Sequence, residues 1–311
     1  MTQLKNKNAS HSSKKVLFIG NDINNLNNEK SWENLVADLR TRVGKNEDAI
    51  DLIKQFPLVF ENLLLYGMKN NSISDENELK EIVAKRVTQI IPNQIHERIK
   101  SINPEHIITA NYDFVLEDGL IVDNTSLIDE TRFSIFRRYK DRDSGRKFWH
   151  IHGDWKHPKT INLGFEHYSG QLQYLRNYVV SGTQYKLEKY HNKQLVKRLD
   201  DIPDNPDSWV DLLFTKEVHI IGLCLDFIEI DLWWLLAYRA KLIGQKGRNI
   251  KNKIYYYIPK KYCESSKGKI ELLENMGIIV RIIDKKGFEY YNKVFDIIER
   301  KLTISELINW I

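Results

Sequence analysis

Cysteine is nearly absent from this 311-residue chain, which holds only Cys224 and Cys263. Two thiols cannot build a disulfide framework or a four-cysteine zinc site, so an intracellular, cytoplasmic setting is expected. Long apolar runs are also missing. None reaches the roughly 18 residues of a membrane span, so no membrane contact is expected. Residues 1–13 are polar with a few lysines and lack the apolar middle of a signal peptide, so they read as a disordered tail. Charge of one sign is in slight excess: 47 Lys and Arg stand against 42 Asp and Glu, a net +5. Much of the excess lies on helical stretches and in 251–269, which points to a solvated surface and against a nucleic-acid groove.

What is present is an alternation of short apolar runs and amphipathic stretches. Val16-Leu17-Phe18-Ile19-Gly20 has the continuous apolarity of a buried parallel strand and ends in glycine. A polar loop follows, and Ser31 is placed to cap a helix through Val43 with Leu35, Leu39 and Val43 on one face. Residues 47–104 read as helical, most clearly 75–91, where Leu79, Ile82, Val83, Val87, Ile90 and Ile91 recur at helical spacing. Further strands are expected at His106–Thr109, Lys147–Ile151, Val218–Gly222, Ile254–Ile258 and Ile278–Ile283, with helices at Ser265–Met276 and Phe288–Leu302. The stretch 168–213 reads as largely helical, broken by Pro203 and Pro206, and could form a second helical patch over the crevice. The pattern predicts an α/β fold, a doubly wound, mostly parallel sheet with helical insertions at about 44–104 and 168–213. Ile230–Ile243, with Trp233 and Trp234, is apolar on nearly every face and suits either the core or a homo-oligomer interface.

Ligands of doubly wound sheets bind outside the carboxyl ends of the strands. Four such ends carry polar or small residues here: Gly20-Asn21-Asp22-Ile23-Asn24, Thr109-Ala110-Asn111-Tyr112-Asp113, Ile151-His152-Gly153 and Gly222-Leu223-Cys224. A histidine before a glycine at a strand end suits a catalytic base, and asparagine also commonly caps such a turn. His150, His152, His157, His167 and Asp154 cluster in sequence, but spacing alone is poor evidence for a metal, and none is expected.

Thr109-Ala110-Asn111-Tyr112-Asp113 resembles the Thr-x-Asn-x-Asp motif of the sirtuin superfamily, and Ile151-His152-Gly153 resembles its His-Gly motif. The glycine-led first loop, Ser31-Trp32, Gly222-Leu223-Cys224-Leu225 and Glu229–Trp234 are similar to elements of the bacterial sirtuin-like domains, in the same order. The resemblance implies a Rossmann-like domain over 14–302, followed by a tail at 303–311. It also implies NAD as a substrate cleaved at its nicotinamide–ribose bond. Without zinc cysteines, the chain resembles the sirtuin-like NAD glycohydrolases, many of which deplete NAD in antiphage defence. The resemblance then implies Asn111 and His152 as the catalytic pair. Gly20, Asn21, Asp22, Ile23, Asn24, Thr109, Asp113, Gly222 and Cys224 become candidates for binding NAD. A partner defence protein or a phage-derived trigger would fit the same setting. Asp22 is a departure, since the family carries a small residue there and a carboxylate repels a pyrophosphate. Two rival readings are a sensor of NAD or ADP-ribose without turnover, and a scaffold subunit of a larger complex.

Overall fold

A computed structural model describes residues 15–27, 31–45, 55–117, 122–126, 128–183, 189–245 and 250–299. The expected tails at 1–13 and 303–311 and the side chain of Ser31 lie outside them. The strands are β1 (Lys15–Ile19), β2 (His106–Thr109), β3 (Val122–Asn124), β4 (Tyr139–Asp141), β5 (Lys147–His150), β6 (Glu217–Ile221), β7 (Ile254–Pro259) and β8 (Ile279–Ile283). They form one sheet in the order β3-β4-β5-β2-β1-β6-β7-β8. All pairings from β5 to β8 are parallel, and only β3–β4 and β4–β5 are antiparallel. The chain enters at the centre with β1, steps outward through β2 and β5, then returns to lay β6 on the other side of β1. This is the doubly wound, Rossmann-like α/β arrangement, and its direction of winding reverses between β1 and β6.

The helices are α1 (Ser31–Val43), α2 (Phe56–Lys69), α3 (Glu76–Val87), α4 (Gln94–Ile102), α5 (Phe165–Ser181), α6 (Leu195–Arg198), α7 (Trp209–Thr215), α8 (Ile230–Ile243), α9 (Lys267–Asn275) and α10 (Gly287–Glu299). Alternation along the strands divides the core between the two faces of the sheet, because successive side chains point to opposite sides. Val16, Phe18, Ile108, Trp149, Val218 and Ile220 join one cluster with residues of α5, α7 and α8. Leu17, Ile19, Ile107, Phe148 and Ile221 join the other, with α4 and α10. A third cluster binds α1, α2 and α3 to Tyr112, Ile161 and Leu163.

Three details depart from the sequence pattern. The helix expected over 75–91 ends at Val87, leaving Ile90 outside it and Ile91 68% exposed. Pro92 follows closely, and proline disfavours helical backbone before it. The segment after α5 packs into the sheet-face cluster through Leu195, Trp209, Leu212 and Leu213, while α5 itself sets Tyr168 against His152. Strands β3 and β4 escape the sequence reading, because three residues each are too few for a periodicity to show.

Candidate active site

The ends of β1 and β6 close on each other at the reversal point. Gly20 N–H donates to Ile221 O at 2.9 Å and Asp22 N–H to Gly222 O at 3.0 Å. A Cβ on Gly20 would lie 2.3 Å from Gly222 O, so only glycine fits. The next residues, Asn21–Asn27, coil as a 3₁₀ helix. Thr109 ties the end of β2 to β1: its hydroxyl donates to Ile19 O at 2.9 Å and accepts Asn111 N–H at 3.0 Å.

Asn111 is carried beyond β2 into a cavity of about 340 Å³, within the range of small-molecule pockets. Asn21, Asn34, Leu35, Arg86, Val87, Tyr112 and Asp113 also line it. Asn111 Nδ2 reaches Gly20 O only at 3.5 Å, and its buried Oδ1 has no hydrogen-bond partner among the described residues. An unsatisfied buried acceptor costs about 1–3 kcal/mol and calls for a reason. Asp113, by contrast, has a partner on each oxygen. Its Oδ2 accepts from Asn24 Nδ2 at 2.9 Å and its Oδ1 from Val115 N–H at 3.0 Å. Burial raises the Asp113 carboxyl above its ordinary value, and these two donors oppose that rise.

Asn24 belongs to a longer chain of bonds. Asn93 N–H donates to His96 Nδ1 at 3.0 Å, which leaves Nε2 as the protonated nitrogen facing Asn24 Oδ1 at 2.9 Å. Burial pushes His96 down to about 4, so it is neutral at pH 7. Asn93 Nδ2 also donates to Ile23 O at 2.8 Å, and Ile23 itself is fully buried.

His152 lies past the end of β5. The register of β2 with β5 pairs Thr109 with His150, so Asn111 and His152 occupy equivalent places beyond adjacent strands. Gly153 adopts φ +96, and a Cβ there would lie 2.2 Å from Thr160 O, so the turn after His152 needs glycine. His152 O accepts Asn162 N–H at 2.9 Å. Its Nε2 lies 3.0 Å from Asp231 Oδ2, and its ring meets Tyr168 edge-on at 5.2 Å. His152 does not line the cavity of Asn111. Burial works to lower its pKa, but the Asp231 carboxylate outweighs it and holds the value above that of an ordinary histidine.

His150 is held on both sides. Its Nδ1 lies 2.9 Å from Asn111 O and its Nε2 2.7 Å from Glu117 Oε1, while the ring stacks on Phe114 at 4.6 Å. Burial opposes the charge here too, and Glu117 again outweighs it, raising the pKa.

The remaining candidates face elsewhere. Asp22, Gly222 and Cys224 line a second cavity, of about 290 Å³, with Tyr256 and Lys269. Asp22 therefore points away from the cavity of Asn111, with its carboxylate 3.9 Å from Cys224 Sγ. Desolvation and that carboxylate push the Cys224 thiol up to about 12, so it keeps its proton and is no nucleophile. Among the described residues no group of three potential ligands is placed to hold a metal ion, and no helix is long and apolar enough to cross a membrane.

The sequence pattern missed Asp231, Glu117 and His96. Only Asp231 carried a signal: it is an acid in the first turn of an otherwise apolar helix. Glu117 and His96 are ordinary polar residues until the fold brings them to their partners.

The fold defines an α/β protein with its cavities at the carboxyl edge of a doubly wound sheet. A family model described as a SIR2-like domain matches residues 105–202, which include Thr109, Asn111, Asp113 and His152. This match supports a sirtuin-like relationship, and such a domain is compatible with NAD-related activity. No curated protein matches the chain.

Proposed function

We propose that the chain is an NAD glycohydrolase, in which Asn111 and His152 act on the nicotinamide–ribose bond. The observation that carries this reading is the unpartnered, buried Oδ1 of Asn111 in a cavity at the end of β2, one strand from a buried histidine held by a carboxylate. Nicotinamide leaves as a neutral ring, so the departure needs no general acid. The ribose acquires oxocarbenium character as the bond breaks. Asn111 orients water or a ribose hydroxyl through its amide. His152 accepts the proton released when water adds, and the products are nicotinamide, ADP-ribose and that proton. His152 is only 2% exposed, so substrate reaches it after the side chains around it shift. Asn21 and Asp113 line the same cavity and bind the substrate's polar edge, while Gly20, Ile23, Asn24 and Thr109 shape the loop from behind. Gly222, Asp22 and Cys224 bind the far end of NAD at the second cavity.

A cytoplasmic, NAD-depleting antiphage effector is the setting we attach to this chemistry. Its homo-oligomer would pack through the half-buried Trp233 and Trp234, and a partner or phage-derived trigger would set its activity. The test is to incubate the purified protein with NAD and follow nicotinamide by chromatography. Release is expected from the unaltered protein and only background from Asn111→Ala and His152→Ala. Full activity in both variants overturns the residue assignment, and saturable binding without release makes the protein a sensor.

A further inference from the structure

The first turn of α8 delivers a carboxylate into the interior beside the proposed base. Asp231 is completely buried, with Oδ2 3.0 Å from His152 Nε2 and, among the described residues, Oδ1 without a hydrogen-bond partner. A buried carboxylate inside an apolar helix is costly unless it is paired, and His152 is its only hydrogen-bonding partner among the described residues. The carboxylate accepts hydrogen bonds and, when ionised, cannot donate. The His152 nitrogen facing it must therefore carry the hydrogen.

Resting on the glycohydrolase reading above, we propose that Asp231 is a positioning residue that fixes His152 as the Nε2–H tautomer and so makes Nδ1 the nitrogen that accepts the proton. During the reaction Nδ1 takes the proton from water or a ribose hydroxyl and the ring becomes an imidazolium. The Nε2 proton stays on the ring, and the Asp231 carboxylate beside it stabilises the charge. The other groups that face this ring are Glu229 at the start of α8 and Tyr168 on α5, which is itself hydrogen-bonded to Tyr112. Burial raises Glu229 to about 7, so it contributes a partial charge near neutral pH, whereas Asp231 contacts the ring directly.

Asp231→Asn tests the assignment at constant shape. An asparagine amide donates to Nε2, which flips His152 to the Nδ1–H tautomer and blocks the accepting nitrogen. By analogy with other buried Asp–His pairs, nicotinamide release falls on the order of 10³–10⁴-fold. The loss is expected in kcat, with KM within a few-fold. The rising limb of the residual activity moves to lower pH, because the carboxylate that raised the His152 value is gone while burial persists. Nitrogen-15 NMR of the His152 ring reads the tautomer without substrate: Nε2–H in the unaltered protein and Nδ1–H in the variant support the assignment. The same tautomer in both, or release within threefold of normal with an unmoved limb, overturns it. If Asp231→Asn does not fold, the unaltered protein decides alone, since Nδ1–H there overturns the proposal and Nε2–H supports it. If the unaltered protein releases no nicotinamide, the glycohydrolase reading fails, and the ring tautomers still judge the pair.

Discussion

His150 and His152 stand two residues apart, equally buried and each against a carboxylate, yet their surroundings leave them different freedoms. Both nitrogens of His150 are committed, one to Asn111 O and one to Glu117, and its face is covered by Phe114. Among the described residues, only Nε2 of His152 is engaged, by Asp231. A histidine with both nitrogens committed is held rigidly and braces the backbone. One with a single committed nitrogen keeps the other for chemistry. His96 completes the comparison, for without a carboxylate the same burial pushes it down to about 4. Burial is common to all three rings, so the partner decides which way the pKa moves.

The sharpest way to break the contrast is Glu117→Ala. Removing one partner of a buried ion pair leaves the other uncompensated, and a loss of about 3–5 kcal/mol of stability is expected from urea denaturation. Nicotinamide release per folded molecule should stay within tenfold, unlike the collapse expected of Asp231→Asn. Equal losses from both variants would erase the distinction between a bracing and a reacting histidine.

Acid sharpens the comparison next. His96 has a folded value of about 4 against 6.5 unfolded, so the unfolded chain binds more protons across that interval. Stability is lost as pH falls from 6.5 to 4, by about 3 kcal/mol from this ring. His96→Gln should lose that much less between urea titrations at pH 7 and pH 4. An identical loss would show that His96 is not held neutral. The stabilisation from His150 runs the other way, complete below pH 6.5 and lost as pH rises through its higher folded value. The smallest effect is expected from Phe114→Leu, which removes the ring stacked on His150. About 1 kcal/mol is the expected cost by thermal or urea unfolding. No measurable change would mean that Glu117 and Asn111 O fix the ring without the stack.

The strands were legible in the sequence wherever both faces are buried, as in Val16–Ile19 and Ile107–Ile108, because burial on two sides forces an unbroken apolar run. The edge strands β3 and β4 were not, since three residues carry no period. Asn111 and His152 were legible because strand ends in a doubly wound sheet attract polar and small residues. Their partners were not. Glu117 and Asp231 lie 33 and 79 residues from the histidines they hold, and nothing local marks a contact of that span. The candidate loop residues also looked like one set in the sequence. The closure of Gly20 on Gly222 distributes them over two cavities, a separation that only the three-dimensional path of the chain can reveal.

The bonds from Asn93 through His96 and Asn24 to Asp113 have a consequence for anyone redesigning this protein. Asn93 and His96 belong to the helical stretch between β1 and β2, yet they fix the loop that follows β1. A minimal sheet trimmed of that stretch would keep every strand and lose the brace on its first loop. The helices between β1 and β2 are therefore not detachable cargo: transplanting this site into another scaffold means carrying α4 along with it.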